Sequence, residues 1–173
     1  AFLEGNHEWE IHKRYQDDLI RNLCEDLNLP YGGYSCFLIV KFERKAGDKP
    51  YPASIRQYTI HAWHGAGAAQ SEGGRLMRLM RLVNDFKADI YLMGHLHAIT
   101  IHIPDRLGVV NGRIKSENII AATTGSWLKT YAQPRNGEQL NAGYGEQKGY
   151  KPSRIGCPVL HLCPDKNYFT VEG

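Results

Sequence analysis

Gly94-His95-Leu96-His97 is the stretch on which the reading of this chain turns, because two related turns stand upstream of it. Gly5-Asn6-His7-Glu8 opens the sequence, and His64-Gly65 lies between. Imidazole nitrogens and an amide oxygen are donors suited to borderline and hard divalent cations. Each turn follows an apolar, strand-like run: Ala1-Phe2-Leu3, Ile55 to Trp63, and Asp89 to Met93. In α/β sheets ligands collect at the carboxyl ends of strands, so this placement groups the three turns into one site.

The surrounding pattern is α/β early and mostly β late. Ile11, Tyr15, Leu19, Leu23 and Leu27 recur every four residues and predict one helix ending before Pro30. Tyr31-Gly32-Gly33-Tyr34 is a turn, Cys36 to Phe42 a strand, and Arg44 to Pro52, which includes Gly47-Asp48, a loop. The tract His64 to Ala69 is rich in Gly and Ala and suits a flexible cover. Gly74 to Phe86 predicts a helix with Leu76, Met77, Leu79, Met80, Leu82 and Val83 inward. Ala98 to Ile103 and Asn118 to Thr124 read as strands, and Asn111-Gly112 marks a tight hairpin. Residues 132 to 154 read as a long surface loop. Cys157 to Cys163 and Tyr168 to Val171 close the chain as a hairpin.

The 173 residues suit a single domain, 1–173, long enough to bury a sizeable core. A net charge of +3, from 21 Lys and Arg against 18 Asp and Glu, is too mild to indicate nucleic acid. No apolar run approaches the ~20 residues that span a bilayer, and no basic-then-apolar leader opens the chain. The first residue, Ala in place of Met, reads as a cut start. Cys24, Cys36, Cys157 and Cys163 form no C-x-x-C pair; buried free thiols in a reducing cytoplasm are expected, with Cys36 and Cys157 inside apolar runs.

Within the site segments, Asn6 and His7 stand side by side on a strand-to-helix turn, where a helix N-terminus favours an anion. Asn6 also suits an N-cap with His7 exposed. His95 and His97, two apart, share one side of an extended segment and are able to serve neighbouring ions. Gly94 gives the backbone freedom to turn there. His61 lies three residues before His64, points the other way along the strand, and is expected to pack or to face solvent.

The order Asn-His, His-Gly, Gly-His-x-His resembles the calcineurin-like metallophosphoesterase superfamily. The resemblance implies an αββα sandwich of two sheets with helices outside, two divalent ions (Mn, Fe, Zn or Ni) and a phosphate-ester substrate. It implies that Asn6, His64 and His95 bind the second metal, that His97 binds the first, and that His7 protonates the leaving group. The family's upstream Asp-x-His and Gly-Asp-x-x-Asp are missing. No Asp here is followed two residues on by His, and the single Gly-Asp pair, Gly47-Asp48, comes after the Asn-His turn. The expectation is therefore a sandwich lacking its first strands, an N-terminally truncated domain whose hydrolysis is complete only with the missing segment. The alternative is a non-catalytic metal-binding or interaction module that keeps the fold. A row of Arg75, Arg78 and Arg81 reads as a solvated helix face more than a phosphate or nucleic-acid contact. Trp127, Tyr131, Tyr144 and Tyr150 read as loop packing more than a base-stacking platform.

Overall fold

The computed structural model of the chain describes residues 1–45, 53–69, 71–131 and 143–173. Two short helices, α1 (Asn6–Tyr15) and α2 (Leu19–Asp26), precede β1 (Ser35–Arg44), β2 (Ser54–Trp63), the helix α3 (Glu72–Asp85) and β3 (Ile90–Met93). β4 (Thr100–His102), β5 (Arg106–Val110), β6 (Arg113–Glu117), β7 (Ile120–Thr123), α4 (Tyr144–Gln147), β8 (Val159–Cys163) and β9 (Tyr168–Glu172) follow.

One five-stranded mixed sheet runs β1-β2-β3-β7-β4, and β5-β6 and β8-β9 are separate two-stranded sheets. β2, β3 and β7 are parallel to one another; β1 and β4 flank them antiparallel. The parallel centre is covered on both faces, which is why β3 and β7 are nearly unbroken apolar runs and β2 is buried over its second half. On one face Leu79, Leu82 and Val83 of α3 pack on Tyr91, Met93 and Ala121. On the other, Tyr58, Ile60, Ile90 and Ile120 receive Phe169, with Leu160 and Leu162, from the β8-β9 hairpin. The layers are thus helix, mixed sheet and small sheet: a mixed α/β fold.

Local chemistry sets the junctions. Ser71 caps α3 by accepting from the Gly74 N–H at 3.1 Å, so the helix starts ahead of the expected Gly74. At its far end the buried Tyr91 hydroxyl donates to Phe86 O and accepts from Ala88 N–H, which ties the end of α3 to β3. The Asp89 carboxylate accepts from Thr59 N–H at 2.7 Å and aligns β3 with β2. Asn111 and Gly112 both adopt positive φ, 52° and 73°, as the two central residues of a primed hairpin turn do.

Several expectations are corrected. The single helix over 11–27 is two, broken at Gln16 in the left-handed region, and the first begins at Asn6. The four-residue period is shared by two short helices in sequence, which periodicity cannot separate from one. Ala1-Phe2-Leu3 contributes a single bridge, Phe2 to Tyr31, not a strand end. Met77 is 66% exposed; the inward stripe of α3 is Leu79, Leu82 and Val83. The strand over Ala98–Ile103 shortens to Thr100–His102. Among the four free cysteines only Cys24 is fully buried; Cys36 is half-buried on β1, and Cys157 is exposed because it precedes β8 beside Pro158. Residues 46–52, with Gly47-Asp48, and 132–142 of the expected surface loop lie outside the described residues; 143–154 holds α4. Among the described residues, no helix is long and apolar enough to cross a membrane.

Candidate metal centre

The site grows out of the parallel pairing of β2 and β3. Their register sets Trp63 beside Met93, so His64 and Gly94-His95 leave the sheet at the same edge. Gly94 N–H donates to Trp63 O at 3.1 Å and prolongs the ladder into the turn. The third segment arrives through the Tyr31–Tyr34 turn. Phe2 N–H donates to Pro30 O, Glu4 N–H to Gly33 O, and His64 N–H to Tyr34 O. One turn therefore holds the Asn6 segment and His64 side by side. The Glu4 carboxylate, 5% exposed, accepts from the Tyr31 hydroxyl at 2.7 Å and secures the same junction.

Three donor atoms meet there. Asn6 Oδ1 lies 3.0 Å from His64 Nε2 and 3.1 Å from His95 Nδ1. The two imidazole rings stand 5.2 Å apart at 69°. His64 Nε2 is also 3.4 Å from the Asn6 backbone N–H. One nitrogen cannot accept from that N–H and donate to Oδ1 at once. Where it accepts, two lone pairs face each other across 3.0 Å, an arrangement that a cation between them relieves. Separations of 3.0 and 3.1 Å are those of N–H···O hydrogen bonds, which either imidazole makes in one tautomer, and they leave the amide oxygen and two ring nitrogens close enough to share one ion.

Backbone conformation concentrates at the same point. His95 and His97 have φ of 69° and 52°. These are left-handed conformations that non-glycine residues seldom adopt and that gather at functional sites. The expected extended segment with both histidines on one side is thus a tight turn instead. Gly94 does not turn through a positive φ; its role is close approach, since a Cβ there would stand 3.0 Å from His64 O. Gly65 combines both constraints, with φ +95° and a would-be Cβ 2.9 Å from Gly94 O.

Burial, above all, pushes the His64 imidazole below its ordinary pKa; the neighbouring His95 adds to this, and Glu8 opposes it. His95 is lowered by burial first, then by His97, His7 and Arg78. Both are therefore neutral bases at pH 7, the form that ligates metal. Tyr34 packs edge-on against His64 at 5.3 Å, and its hydroxyl is raised by burial and by Glu4 and Glu8.

The structure brings Asn6, His64 and His95 together. His7 and His97 are exposed, and among the described residues neither hydrogen-bonds to the trio, though the charges of both act on His64 and His95. Asn6 is the first residue of α1 and not its cap; Gly5 caps, with its N–H donating to the Glu8 carboxylate at 3.1 Å. Among the described residues no three His, Cys, Asp or Glu side chains cluster as a metal group; the trio is two imidazoles and an amide. His61 is packed, 3% exposed, as expected. The arginine row is not wholly a solvated face. Arg78 donates to Ala66 O at 2.7 Å in the Gly/Ala tract, and Arg75 donates to Thr100 Oγ1. Trp127 is 78% exposed, while Tyr131 donates to Tyr150 O in loop packing. Sequence reasoning missed Tyr34, Tyr31 and Glu4, whose part is to hold the segments; no motif marks them. No protein-family model, curated protein or solved structure matches the chain.

Proposed function

We propose that this chain carries the second-metal half of a calcineurin-like phosphoesterase centre in an αββα sandwich. It hydrolyses phosphate mono- or diesters once acids absent from its own sequence complete the site. The observation that carries the reading is Asn6 Oδ1 standing 3.0 and 3.1 Å from His64 Nε2 and His95 Nδ1 at the carboxyl edge of parallel strands. Asn6, His64 and His95 would hold one ion, and His97 would offer one ligand to a second. Such ions would supply positive charge for the phosphoryl oxygens and would lower the pKa of a bound water. The mixed nitrogen and oxygen donors suit Mn, Fe, Zn or Ni. The chain's own residues do the rest. The amide and two neutral imidazoles would fix the ion without adding negative charge that repels the ester. His7, exposed on the first turn of α1, gives a proton to the leaving oxygen.

A second reading, a non-catalytic metal-binding or interaction module, draws on the trio's lack of any carboxylate and on the missing Asp-x-His. Calorimetric titration with Mn²⁺ and turnover of bis-nitrophenyl phosphate separate the two. The chain as given should bind one ion weakly, through a site that His95→Ala removes, and turn over barely above background. A longer protein carrying both missing motifs should be active, and His7→Ala in it should cost about 10²-fold or more. Two tight sites in the present chain contradict the missing-carboxylate argument. Inertness of the longer protein with metal bound defeats the phosphoesterase reading and leaves the module.

A further inference from the structure

We propose that a cavity between β2 and α3 binds a small planar heteroaromatic acid, with His61 reading the ring edge and Arg78 and Arg81 taking the acid group. The cavity measures about 260 Å³ and is walled by Ser35, His61 and Trp63 on the sheet side and by Arg78, Arg81 and Phe86 on the helix side. None of Asn6, His64 and His95 lines it. Binding there does not depend on the metal reading.

His61 is the reason to assign a ligand. Its ring lies flat against Phe86, 4.4 Å away at 19°, and is tilted onto Phe37 at 4.7 Å. It is 3% exposed, makes no hydrogen bond among the described residues, and has a buried Nδ1 without a partner. A phenylalanine would fill the same stack without leaving Nδ1 unsatisfied, so what the imidazole adds at this position is its second nitrogen, the one not closed off by burial, beside the cavity. With Nδ1 buried, Nε2 is the atom that meets the ligand. A ring nitrogen of a pyridine-like heterocycle has the matching single lone pair.

Size and charge narrow the class. A cavity of about 150 Å³ takes benzene, so this one holds a single ring with one substituent and not a fused ring with a sugar attached. Trp63 and Phe86 offer apolar faces to such a ring. Arg78 and Arg81 outweigh the one acid on the rim, Asp85. Arg78 spends one N–H on Ala66 O, and its other donors, like those of Arg81, have no hydrogen bond among the described residues. A planar guanidinium matches a carboxylate in two parallel bonds.

The test uses the whole chain with its histidines ¹³C-labelled, in the presence of EDTA, titrated with pyridine-3-carboxylate and followed by the histidine ring resonances. One resonance should shift saturably, and that resonance should be absent in His61→Phe. Pyridine-3-carboxamide, which lacks the charge, and cyclohexanecarboxylate, which lacks the ring, should each bind about tenfold more weakly, the weight of one charge-assisted contact. Arg81→Gln, on an exposed position of α3 where folding is not at risk, should weaken the carboxylate roughly fivefold and leave the carboxamide unchanged. No saturable shift at millimolar acid, equal shifts from all three compounds, or an unchanged affinity in Arg81→Gln overturns the proposal. All arms exclude metal, so none bears on the phosphoesterase reading.

Discussion

Gly65→Ala tests how tightly the two histidine turns are built against each other. Gly65 sits at φ +95°, and an added Cβ would stand 2.9 Å from Gly94 O, 3.1 Å from the His95 Cβ and 3.1 Å from Met93 Cγ. The left-handed backbone costs an L-residue about 1–2 kcal/mol. Overpacking adds about 1–3 kcal/mol, because Gly94 O is main chain and Met93 is buried, so neither has free space to retreat into. The sum, about 2–5 kcal/mol, is a large share of a typical domain's stability. For a chain of this size it lowers Tm by roughly 4–20 °C. Relief of the clash moves Gly94 and with it His95, so the Mn²⁺ affinity proposed for the Asn6, His64 and His95 site should fall by about tenfold or more even where the variant is folded. Gly73→Ala is the control: its Cβ meets nothing within 4 Å in the first turn of α3, and helix propensity should raise stability by about 0.5–1 kcal/mol. The assay is calorimetric unfolding of all three proteins, followed by Mn²⁺ titration at a temperature where each is folded. A Gly65→Ala protein with unchanged Tm and unchanged metal affinity refutes the close approach of the two turns.

Stability of the metal-free protein should fall as pH drops below about 6.5. Burial lowers the folded-state pKa of His61, His64 and His95, so the unfolded chain binds more protons in that window and stability rises with pH through it. Each group adds a slope of at most about 1.4 kcal/mol per pH unit, less at the half-buried His64 and His95; urea melts in EDTA from pH 7.5 downward should show the slope, shallower in His61→Phe. Leu79→Ala, at a fully buried position of α3 against Tyr91 and Met93, should cost about 2–5 kcal/mol by the same melts. Arg78→Ala removes the bond to Ala66 O and should expose the tract after His64 to faster proteolysis at unchanged Tm within about 2 °C; equal cleavage rates would mean that the tract is held by other contacts.

The sequence by itself determined where most of the strands lie along the chain, while their order in the sheet came only from the structure. Period-two and continuous apolar runs placed β1, β2, β3, β7 and the β8-β9 hairpin within a few residues, because burial against a core leaves its mark at every second position or at all of them. Asn111-Gly112 determined its hairpin turn through the positive φ that turn demands. The motif order also named the donors that converge, Asn6, His64 and His95. What only the tertiary structure decided is how they are held. The start of α1 at Asn6 follows the pairing of Phe2 and Glu4 with the Tyr31–Tyr34 turn, and the helix breaks at Gln16 through a left-handed cap; neither leaves a periodic trace. His95 and His97 read locally as an extended pair, yet the register of β2 beside β3 brings Gly94 against His64 and bends both into the left-handed region. Burial of His61 in the β2–α3 cavity is likewise a property of two layers meeting. Single residues carry no record of it, since the same histidine at a free strand would be an ordinary surface side chain.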